Sequence, residues 1–450
     1  MTAAFAERLA GIGFDATDLD ARRSLLEMVL RAFEIRAGGH PESAWWVPGR
    51  LEVFGKHTDY AGGHSLVCGV PRGFLFVMRP RRDRQVRLLD ARRDEEFAVD
   101  AERTAARDSA ATPSTDPRHA GWRNYAHVVV HRLRGNFPGA ALGADIVFAS
   151  DLSSASGMSS SSALVTGLAA ALSSRAGLHA RDEWRANVSG PEDEASYYAC
   201  VENGMSFGTL AGDAGVGTHG GSEDHAAIVC GRAGELTAWR FVPMQRVAGA
   251  PLPADWVFVV AATGVAARKT GDARESYNEL SRRAGELLEL WRRQVSPAAS
   301  LGAALADGAD ACERLLALVG HTGEAEALER RLLHFRREDA RVSAAVEAFR
   351  AGDVQRLGEL AGGSQRDAES LLGNQVRETV HLARSARALG AMAASSFGAG
   401  FGGSVWALVR KADAGAFGHR WMADFRRRFP CRVAAAAFTM RPGPPLTRVV

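Results

Sequence analysis

The spacing of apolar residues changes twice along the chain, from strand-like to helical and back to strand-like. This succession is the sequence feature that most restricts the possible folds. Short segments rich in β-branched and aromatic residues, such as RLEVFG, GFLFVMRP and ADIVFAS, recur between turn residues in the first half, as strands do. Apolar residues then follow helical spacing from about residue 274 to residue 388, and strand-like segments return in SVWALVRK and CRVAAAAFTM. The pattern predicts an α+β protein with a β-rich first half and a helix-rich second half.

The chain has 450 residues, enough to bury more than one core, so we expect two fused domains. Its formal net charge is +3, and its basic residues alternate with acidic ones in helical segments such as ALERRLLHFRRED. Interleaved charges of this kind are typical of solvated helix faces. We therefore expect no nucleic-acid partner.

Three features predict where the protein works. Its five cysteines lie far apart and form no CxxC pair, as in proteins of reducing compartments. The first residues lack the basic start and apolar core of a signal peptide, and no apolar run reaches the roughly 18 residues that a membrane span needs. We expect a cytoplasmic protein with no membrane partner.

A charged tetrad stands between small residues in GRLEVFGKHTDYAGGHSL. The tetrad consists of Lys56, His57, Asp59 and Tyr60, and such a concentration of polar side chains is typical of a site for a polar ligand. Only three of the 55 basic residues are lysine, so a lysine inside the motif is unusual for this chain.

Two loops of small residues have the composition of phosphate-binding sites. SDLSSASGMSSSSAL joins a predicted strand to a predicted helix, so a phosphate could approach the backbone N–H groups at the helix start. It is not a Walker A loop, because no Gly-Lys-Ser/Thr follows. SSFGAGFGGS carries four glycines, which are costly to order unless a ligand approaches closely. A serine-rich helix cap and a glycine-rich turn are the alternative interpretations.

A carboxylate follows a glycine turn in GTHGGSEDHAAI. Asp224 stands there beside an apolar run, HAAIVC, which we predict to be a strand. A carboxylate in such a place serves either as a general base or as a turn-forming residue. Because these elements lie far apart in the chain, together they constrain the function more than any one of them does.

Together these stretches resemble the galactokinase branch of the GHMP small-molecule kinases. PGRLEVFGKHTDYAGG is similar to the family's sugar-binding signature, SASGMSSSSAL to its phosphate loop and FGAGFGGS to its C-terminal glycine motif. GWRNYAHVVV is similar to its Trp-x-x-Tyr helix beside the nucleotide, and ESYNELSRR to its Ser-Glu-Tyr-Asn segment. The similarity runs in order from Pro48 to about Val409.

The resemblance implies a two-domain GHMP kinase fold. A β-rich N-terminal domain would span residues 1–245 and carry the signature and the phosphate loop. A helix-rich α+β C-terminal domain would span residues 246–450 and carry the glycine motif, with the active site between the two. The implied reaction moves the γ-phosphoryl group of ATP to a sugar hydroxyl, usually the anomeric one, with Mg²⁺ bridging the phosphates.

The resemblance also implies roles for individual residues. Asp224 would accept the hydroxyl proton, and Arg50 would stabilise the developing charge. The expected sugar-binding residues are Lys56, His57, Asp59, Gly221 and Tyr277. The expected ATP-binding residues are Trp122, Ser156, Gly157, Met158, Ser159, Ser160, Ser161, Ser162 and Gly400. Ser161 and a carboxylate would hold Mg²⁺.

The second Mg²⁺ ligand departs from the family's spacing. In the family it is a Glu that lies closer to the catalytic Asp than Glu202 lies to Asp224. Glu202 fits the local pattern if an insertion follows it, whereas Asp213 fits the spacing. We expect Glu202 and keep Asp213 as the alternative. A threonine before the last glycine motif is also replaced, by Phe397.

Lys56 is the sharpest departure, because the family has a Glu there that resembles a receptor for the 6-hydroxyl of the sugar. A lysine would attract a C6 carboxylate that a Glu would repel. We therefore expect a preference shifted from galactose toward a sugar with an acidic or altered C6. The alternative is that Lys56 turns to solvent or pairs with Glu52 or Glu223. The family's Met-Asp-Gln is also replaced, by Glu223-Asp224-His225.

Two other functions stay open at this point. A kinase of the same superfamily could act on a uronic acid, a pentose or a heptose, with the difference confined to the sugar pocket. A regulatory relative could bind ATP and sugar without turnover. Because Arg50, Ser161 and Asp224 are all present, no expected catalytic group is missing, and we expect an ATP-dependent sugar 1-kinase.

Overall fold

The computed structural model describes residues 2–14, 16–101, 121–153, 157–265 and 272–450. Within these residues the strands are β1 (Ser43–Phe54), β2 (His64–Pro80), β3 (Gln85–Asp90), β4 (Glu95–Asp100), β5 (Ala144–Ser150), β6 (Glu235–Arg240), β7 (Gln245–Pro251), β8 (Trp256–Ala262), β9 (Ala393–Phe397), β10 (Ser404–Arg410), β11 (Ala436–Met440) and β12 (Thr447–Arg448). The helices are α1 (Thr2–Gly11), α2 (Ala16–Ala37), α3 (Trp122–Asn136), α4 (Ser160–Arg175), α5 (Asp182–Arg185), α6 (Pro191–Asn203), α7 (Glu223–Cys230), α8 (Asp272–Gln294), α9 (Leu301–Leu305), α10 (Ala311–Val319), α11 (Ala325–Ala351), α12 (Val354–Asp367), α13 (Arg377–Ala388) and α14 (Ala414–Arg428).

The first sheet contains eight of the described strands. Its order is β12-β1-β2-β5-β3-β4, with β6 paired to β2 and β7 paired to β6. The strand β1 is buried along its whole length and has register shifts between Pro48 and Arg50 and between Glu52 and Phe54. Such irregularities re-aim side chains, and these two flank the segment that carries Arg50 and Glu52.

The helix α4 packs against this sheet. Its residues from Ser162 to Ser173 are all buried and mostly small, as expected of a helix that is apolar on every side. A Cβ atom on Gly167 would lie 2.3 Å from Cε2 of Phe76, so only glycine lets α4 lie this close to β2. The packing fixes the first turn of α4, which holds the predicted phosphate loop.

The second sheet has the order β11-β8-β10-β9 and is antiparallel. Alternate residues of β8 point to opposite faces: Val257 and Val259 pack with residues of α13 and α14, whereas Phe258 and Val260 join the main core. The long helix α11 contacts both β1 and β2 and so joins the helical half to the first sheet.

The predicted α+β architecture, β-rich first and helix-rich second, is confirmed. The domain division at residues 245 and 246 stays a prediction, since β7 begins at residue 245 and β12 brings the end of the chain back to β1. None of the described helices combines the length and the apolar character that crossing a membrane requires.

Candidate active site

Arg50 on β1 and Asp224 on α7 meet at the centre of the site. Arg50 Nε donates to Asp224 Oδ1 at 2.7 Å, and Arg50 Nη2 lies 2.5 Å from the same oxygen. Ser162 Oγ donates to Asp224 Oδ2 at 3.0 Å, and Arg50 Nη1 donates to the Gly157 carbonyl at 3.3 Å. The first sheet, the phosphate loop and α7 therefore converge on one carboxylate.

The segment that carries Asp224 is a helix, which corrects the strand predicted for HAAIVC. The helix α7 begins at Glu223, so that Glu223 and Asp224 both lie in its first turn. The positive end of the helix dipole favours negative charge there. Glu223 and Asp224 are therefore a signal for a helix start, although the apolar run that follows them resembles a strand. Asp224 thus projects from a helix terminus and not from a turn before a strand.

Two further carboxyl groups, Glu52 and Glu223, are buried beside Arg50. Glu223 Oε1 lies 3.1 Å from Arg50 Nε, and Glu52 Oε2 lies 4.0 Å from Arg50 Nη2. Burial raises the pKa of Glu52 to about 7 against the lowering effect of Arg50. Burial, together with the nearby Glu52, raises the pKa of Glu223 well above its usual range. Two adjacent buried carboxyl groups disfavour each other's ionisation, and Arg50 opposes this effect for both.

The Arg50 guanidinium nevertheless stays charged. Burial alone would lower its pKa, but the carboxylates of Asp224 and Glu223 raise the pKa above its ordinary value. The site thus has a permanent positive charge next to the candidate base.

Two members of the signature tetrad, His57 and Asp59, lie against the same centre. His57 shares hydrogen bonds with the Tyr60 hydroxyl through Nδ1 at 2.9 Å and with the Ala399 carbonyl through Nε2 at 3.1 Å. Asp59 Oδ2 accepts from the Glu223 backbone N–H at 3.2 Å. Burial, followed by the proximity of Asp224, raises the pKa of Asp59. The signature loop is therefore held directly against the start of α7.

Gly221 and Tyr277 lie next to His57 and Asp59 on the same side of the site. A Cβ atom on Gly221 would lie 2.3 Å from Asp59 Oδ2, so the close approach of the two segments requires glycine. Asn203 Nδ2 donates to the Gly221 carbonyl at 3.1 Å and fixes its direction. The Tyr277 ring centroid lies 5.3 Å from that of His57, and burial raises the Tyr277 pKa well above its usual range.

These groups border one cavity, in which several predicted residues come together. Its lining consists of Arg50, Glu52, His57, Asp59, Ser162, Glu202, Asn203, Gly220, Gly221, Glu223, Asp224, His225, Tyr277, Gly398 and Ala399. The carboxyl groups in this lining outnumber its arginine, so the cavity suits a neutral ligand rich in hydroxyl groups better than an anionic one.

Lys56 does not line this cavity, and the prediction that it contacts the sugar is corrected. Its side chain is 1% exposed. Its Nζ donates to Ser364 Oγ at 2.5 Å and to Ser395 Oγ at 2.9 Å, and it lies 4.0 Å from Glu338 Oε1. The negative charge of a buried glutamate on α11 draws the ammonium toward the helical half, away from solvent. Its ion-pair partner is Glu338, and neither Glu52 nor Glu223 takes that place.

The two glycine-containing loops lie against each other. Gly157 and Ser159 have positive φ angles of 77° and 57°, and α4 begins directly after them. A Cβ atom on Gly398 would lie 3.0 Å from the Gly157 carbonyl oxygen. The start of α4, which includes Ser160, thus lies beside Gly157 and Gly398, and a helix N-terminus next to residues of minimal bulk favours an anion. Ser156 lies outside the described residues.

Three predicted ATP-binding residues are further from this centre. The Met158 side chain is 1% exposed, and its carbonyl accepts from the Arg50 backbone N–H at 3.1 Å. Gly400 packs against Asn374, where a Cβ atom would approach within 2.4 Å. Trp122 begins α3, and its Nε1 donates to Glu95 Oε2 at 2.8 Å. For Trp122, Gly400 and Met158, nucleotide contact stays a prediction.

Ser161 and Glu202 are neighbours of one tyrosine. Burial raises the pKa of Tyr125 to about 12, the charge of Glu202 adds to this rise, and a hydrogen bond with Ser161 opposes it. His225 Nε2 lies 3.3 Å from Glu202 Oε2. A hydroxyl and a carboxylate next to a phosphate loop are the hard oxygen ligands that Mg²⁺ takes, so this donor set fits the ion.

Asp213, the alternative ligand, lies among other partners. Its Oδ1 is 3.5 Å from Arg132 Nη1 and accepts from the Gly215 backbone N–H at 3.0 Å, and His131 Nδ1 is 3.6 Å from its Oδ2. Burial alone would raise its pKa, but the hydrogen bonds from His131 and Gly215 lower it. Asp213 is thus held by Arg132, Gly215 and His131 and does not border the cavity that Glu202 lines, and the choice between the two ligands stays a prediction.

The acid pair of Glu52 and Glu223 and the support given by Asn203 were not predicted from the sequence. Glu223 could have been found, because it adjoins Asp224 in a turn already singled out. Asn203 follows Glu202 directly in ACVENGMS, yet a single asparagine at a helix end carries no signal of its own.

Comparisons with known proteins agree with this geometry. Three family models match: the galactokinase galactose-binding signature over residues 31–80, the N-terminal domain of GHMP kinases over 124–196 and the C-terminal region of GHMP kinases over 345–426. The galactokinase of Chloroflexus aurantiacus is 30% identical over 400 residues, which cover 87% of this chain and 90% of that protein. This chain belongs to the galactokinase family.

Other galactokinases and their structures extend the comparison. The galactokinase of Lactobacillus helveticus is 26% identical over 397 residues, 86% of this chain and 91% of that protein. The crystal structure of Lactococcus lactis galactokinase complexed with galactose has a TM-score of 0.75 at 22% identity and covers 94% of this chain and 99% of its own. The mevalonate kinase of Methanococcus jannaschii has a TM-score of 0.55 at 12% identity, covering 90% of this chain and 99% of its own. The predicted family and GHMP kinase fold are confirmed, and the protein is an ATP-using sugar kinase.

Proposed function

We propose that this galactokinase-family protein transfers the γ-phosphoryl group of ATP to the anomeric hydroxyl of galactose or a closely related sugar. The observation that carries the proposal is the contact between Arg50 and Asp224 in a cavity that the signature loop also lines. Phosphoryl transfer needs positioned groups and charge stabilisation more than covalent chemistry, and this pair supplies both.

Asp224 is the group that accepts the hydroxyl proton. Its carboxylate is held from two sides, by Arg50 and by the Ser162 hydroxyl, so its orientation is fixed before substrate arrives. Arg50 keeps its positive charge and stabilises the negative charge that develops on the transferring group. Its hydrogen bond to Gly157 ties this charge to the phosphate loop.

The sugar is held by groups that suit neutral hydroxyls. Asp59 offers carboxylate acceptors, and His57, Tyr277 and the Gly221 backbone border the same space. Because Lys56 faces away from the cavity, Arg50 is the only Lys or Arg side chain among the described lining residues, and five carboxyl groups line the cavity beside it. A uronic acid would therefore meet net repulsion there. This favours galactose over an acidic sugar.

ATP and Mg²⁺ are the proposed cofactors. The N-terminal turn of α4, with Gly157 and Gly398 beside it, would receive the phosphates. Ser161 and Glu202 would hold Mg²⁺, which neutralises phosphate charge when bound.

A coupled assay of ADP release against a panel of free sugars tests the proposal. The panel includes galactose, galacturonate, a pentose and a heptose. The proposal predicts galactose-dependent ADP release that exceeds the rate with each other sugar. ADP release that no sugar stimulates would favour the sensor alternative and contradict the proposal.

A further inference from the structure

One face of α11 contacts the signature loop at several points. Arg331, Glu338 and Asp339 are spaced by seven and eight residues, which places them on the same side of a helix. All three contact the segment between Gly55 and His64. No motif in the sequence marks these residues.

Arg331 joins the signature loop to the helix α8. Its side chain is 1% exposed. Its Nη2 donates to the His57 carbonyl at 2.6 Å and to the Tyr60 hydroxyl at 3.1 Å, and its Nε donates to the Leu280 carbonyl at 3.1 Å. Leu280 lies on α8, the helix that carries Tyr277. One planar guanidinium therefore holds the signature loop and α8 in fixed relation.

Glu338 holds the beginning of the loop. Its Oε1 accepts from the backbone N–H groups of Gly55 at 3.1 Å and Lys56 at 3.4 Å, and from Ser364 Oγ at 2.8 Å. Its Oε2 accepts from Arg341 Nη1 at 2.9 Å. Arg341 and the Lys56 ammonium, which lies 4.0 Å from Oε1, together balance the buried charge. This explains a lysine at the position where the family has a Glu.

Asp339 holds the end of the loop. Its Oδ1 accepts from the His64 backbone N–H at 2.6 Å and lies 2.9 Å from His64 Nδ1. Neither Arg331 nor Glu338 borders the cavity, so both can affect the sugar only through the loop that they hold.

We propose that Arg331 and Glu338 are positioning residues for sugar binding, with Lys56 as the buried counter-ion of Glu338. The inference rests on the proposed function. The contacts among Arg50, Asp224 and the phosphate loop do not involve α11. Loss of Arg331 or Glu338 therefore disorders the signature loop that carries His57 and Asp59, and it leaves the phosphate loop intact.

The first test compares Arg331→Lys and Arg331→Met with Arg336→Met, a control at an exposed position of the same helix. We expect Arg331→Met to raise the KM for galactose about 10- to 100-fold, the range for leaving buried partners unpaired. We expect kcat at saturating galactose and the KM for ATP to change less than about threefold. The galactose KM of Arg331→Lys should lie between those of the wild type and Arg331→Met, because an ammonium keeps the charge but loses the planar arrangement of donors.

The second test is a double-mutant cycle of Lys56→Met and Glu338→Gln. Glutamine keeps one oxygen for the loop N–H bonds, but its N–H₂ group replaces the oxygen that accepts from Arg341. Lys56→Met leaves Glu338 with Arg341 as its cation, and Glu338→Gln leaves the buried Lys56 ammonium without its ion-pair partner. We expect each single change to raise the galactose KM by about tenfold, and the double variant to raise it by less than the product of the two.

The outcomes separate the two proposals. Absence of galactose turnover in the wild type contradicts the proposed function. In an active wild type, an unchanged galactose KM in Arg331→Met, or equal losses in kcat and in both KM values, contradicts the positioning role. If Arg331→Met does not fold, the galactose KM of Arg331→Lys decides, and a wild-type value contradicts the role. If the galactose KM of the double variant rises by the product of the two single effects, the counter-ion role of Lys56 is contradicted.

Discussion

Arg50 and Asp224 lie 174 residues apart in the chain, yet Arg50 Nε donates to Asp224 Oδ1 at 2.7 Å. The contact requires that β1 and the start of α7 are adjacent, and the close approach of Gly221 to Asp59 makes that possible. The arrangement supplies a base and a fixed positive charge at one point of the cavity.

Asp224→Asn should lower kcat by about 10²- to 10⁴-fold, the usual contribution of a positioned base. Asparagine keeps the size of the side chain and one oxygen for Ser162 or Arg50, so the fold should persist. Steady-state kinetics and a thermal melt check both statements. A kcat within a few-fold of wild type would remove Asp224 from the role of base.

Glu202→Gln should raise the Mg²⁺ concentration needed for half-maximal activity by about tenfold, because a neutral amide is a weaker ligand than a carboxylate for this ion. Asp213→Asn is the matched control and should leave that concentration unchanged. The measurement is initial rate against free Mg²⁺ in a metal-buffered assay. The reverse pattern would assign the ligand to Asp213, and full activity in EDTA would contradict the metal requirement.

Glu52→Gln should change how stability depends on pH. The folded-state pKa of Glu52 is raised from 4.5 to about 7 by burial, with Glu338 adding to the rise and Arg50 and Lys56 opposing it. The folded state therefore binds this proton more tightly, so the stability it contributes at low pH is lost as pH rises between those values.

We predict that the Tm of Glu52→Gln, relative to the Tm of the wild type, increases as pH rises from about 5 to 7.5. Glu347→Gln, at a side chain that is 72% exposed, is the control and should follow the wild-type profile. A constant Tm difference between Glu52→Gln and wild type across this range would show that the Glu52 carboxyl titrates normally.

Lys56→Glu should not convert the sugar preference. The new carboxylate would stand near Glu338 Oε1, where the ammonium lies at 4.0 Å. Two buried carboxylates would then share Arg341 as their nearest cation, and such an unbalanced buried charge destabilises the fold by several kcal/mol. We expect a lower Tm and a ratio of kcat/KM for galactose over galacturonate within about threefold of wild type. A large shift of that ratio would mean that the side chain at residue 56 contacts C6 after all.

The sequence predicted well those parts of the site whose chemistry lies in a short segment. The signature, the phosphate loop and the Asp224 turn each place backbone groups and side chains within a few residues, and the structure brings Arg50, His57, Asp59, Ser162 and Asp224 together. The alternation of strands and helices was also readable, because it depends on local periodicity.

The environment of Lys56 could not be predicted from its neighbours in the chain. Its partners Glu338, Ser364 and Ser395 lie on α11, α12 and β9, hundreds of residues away. The same holds for Arg331, which is one arginine among many in a helix. At α7, the apolar run HAAIVC suggested a strand, because the two acids of the helix start were interpreted only as functional groups.

The most direct test of the proposed reaction is the product formed from ATP, Mg²⁺ and galactose labelled with ¹³C at C1. The account predicts that the C1 signal acquires coupling to phosphorus and that one ADP forms for each sugar converted. A phosphate at any other carbon, or ADP formation with the C1 signal unchanged, would contradict it.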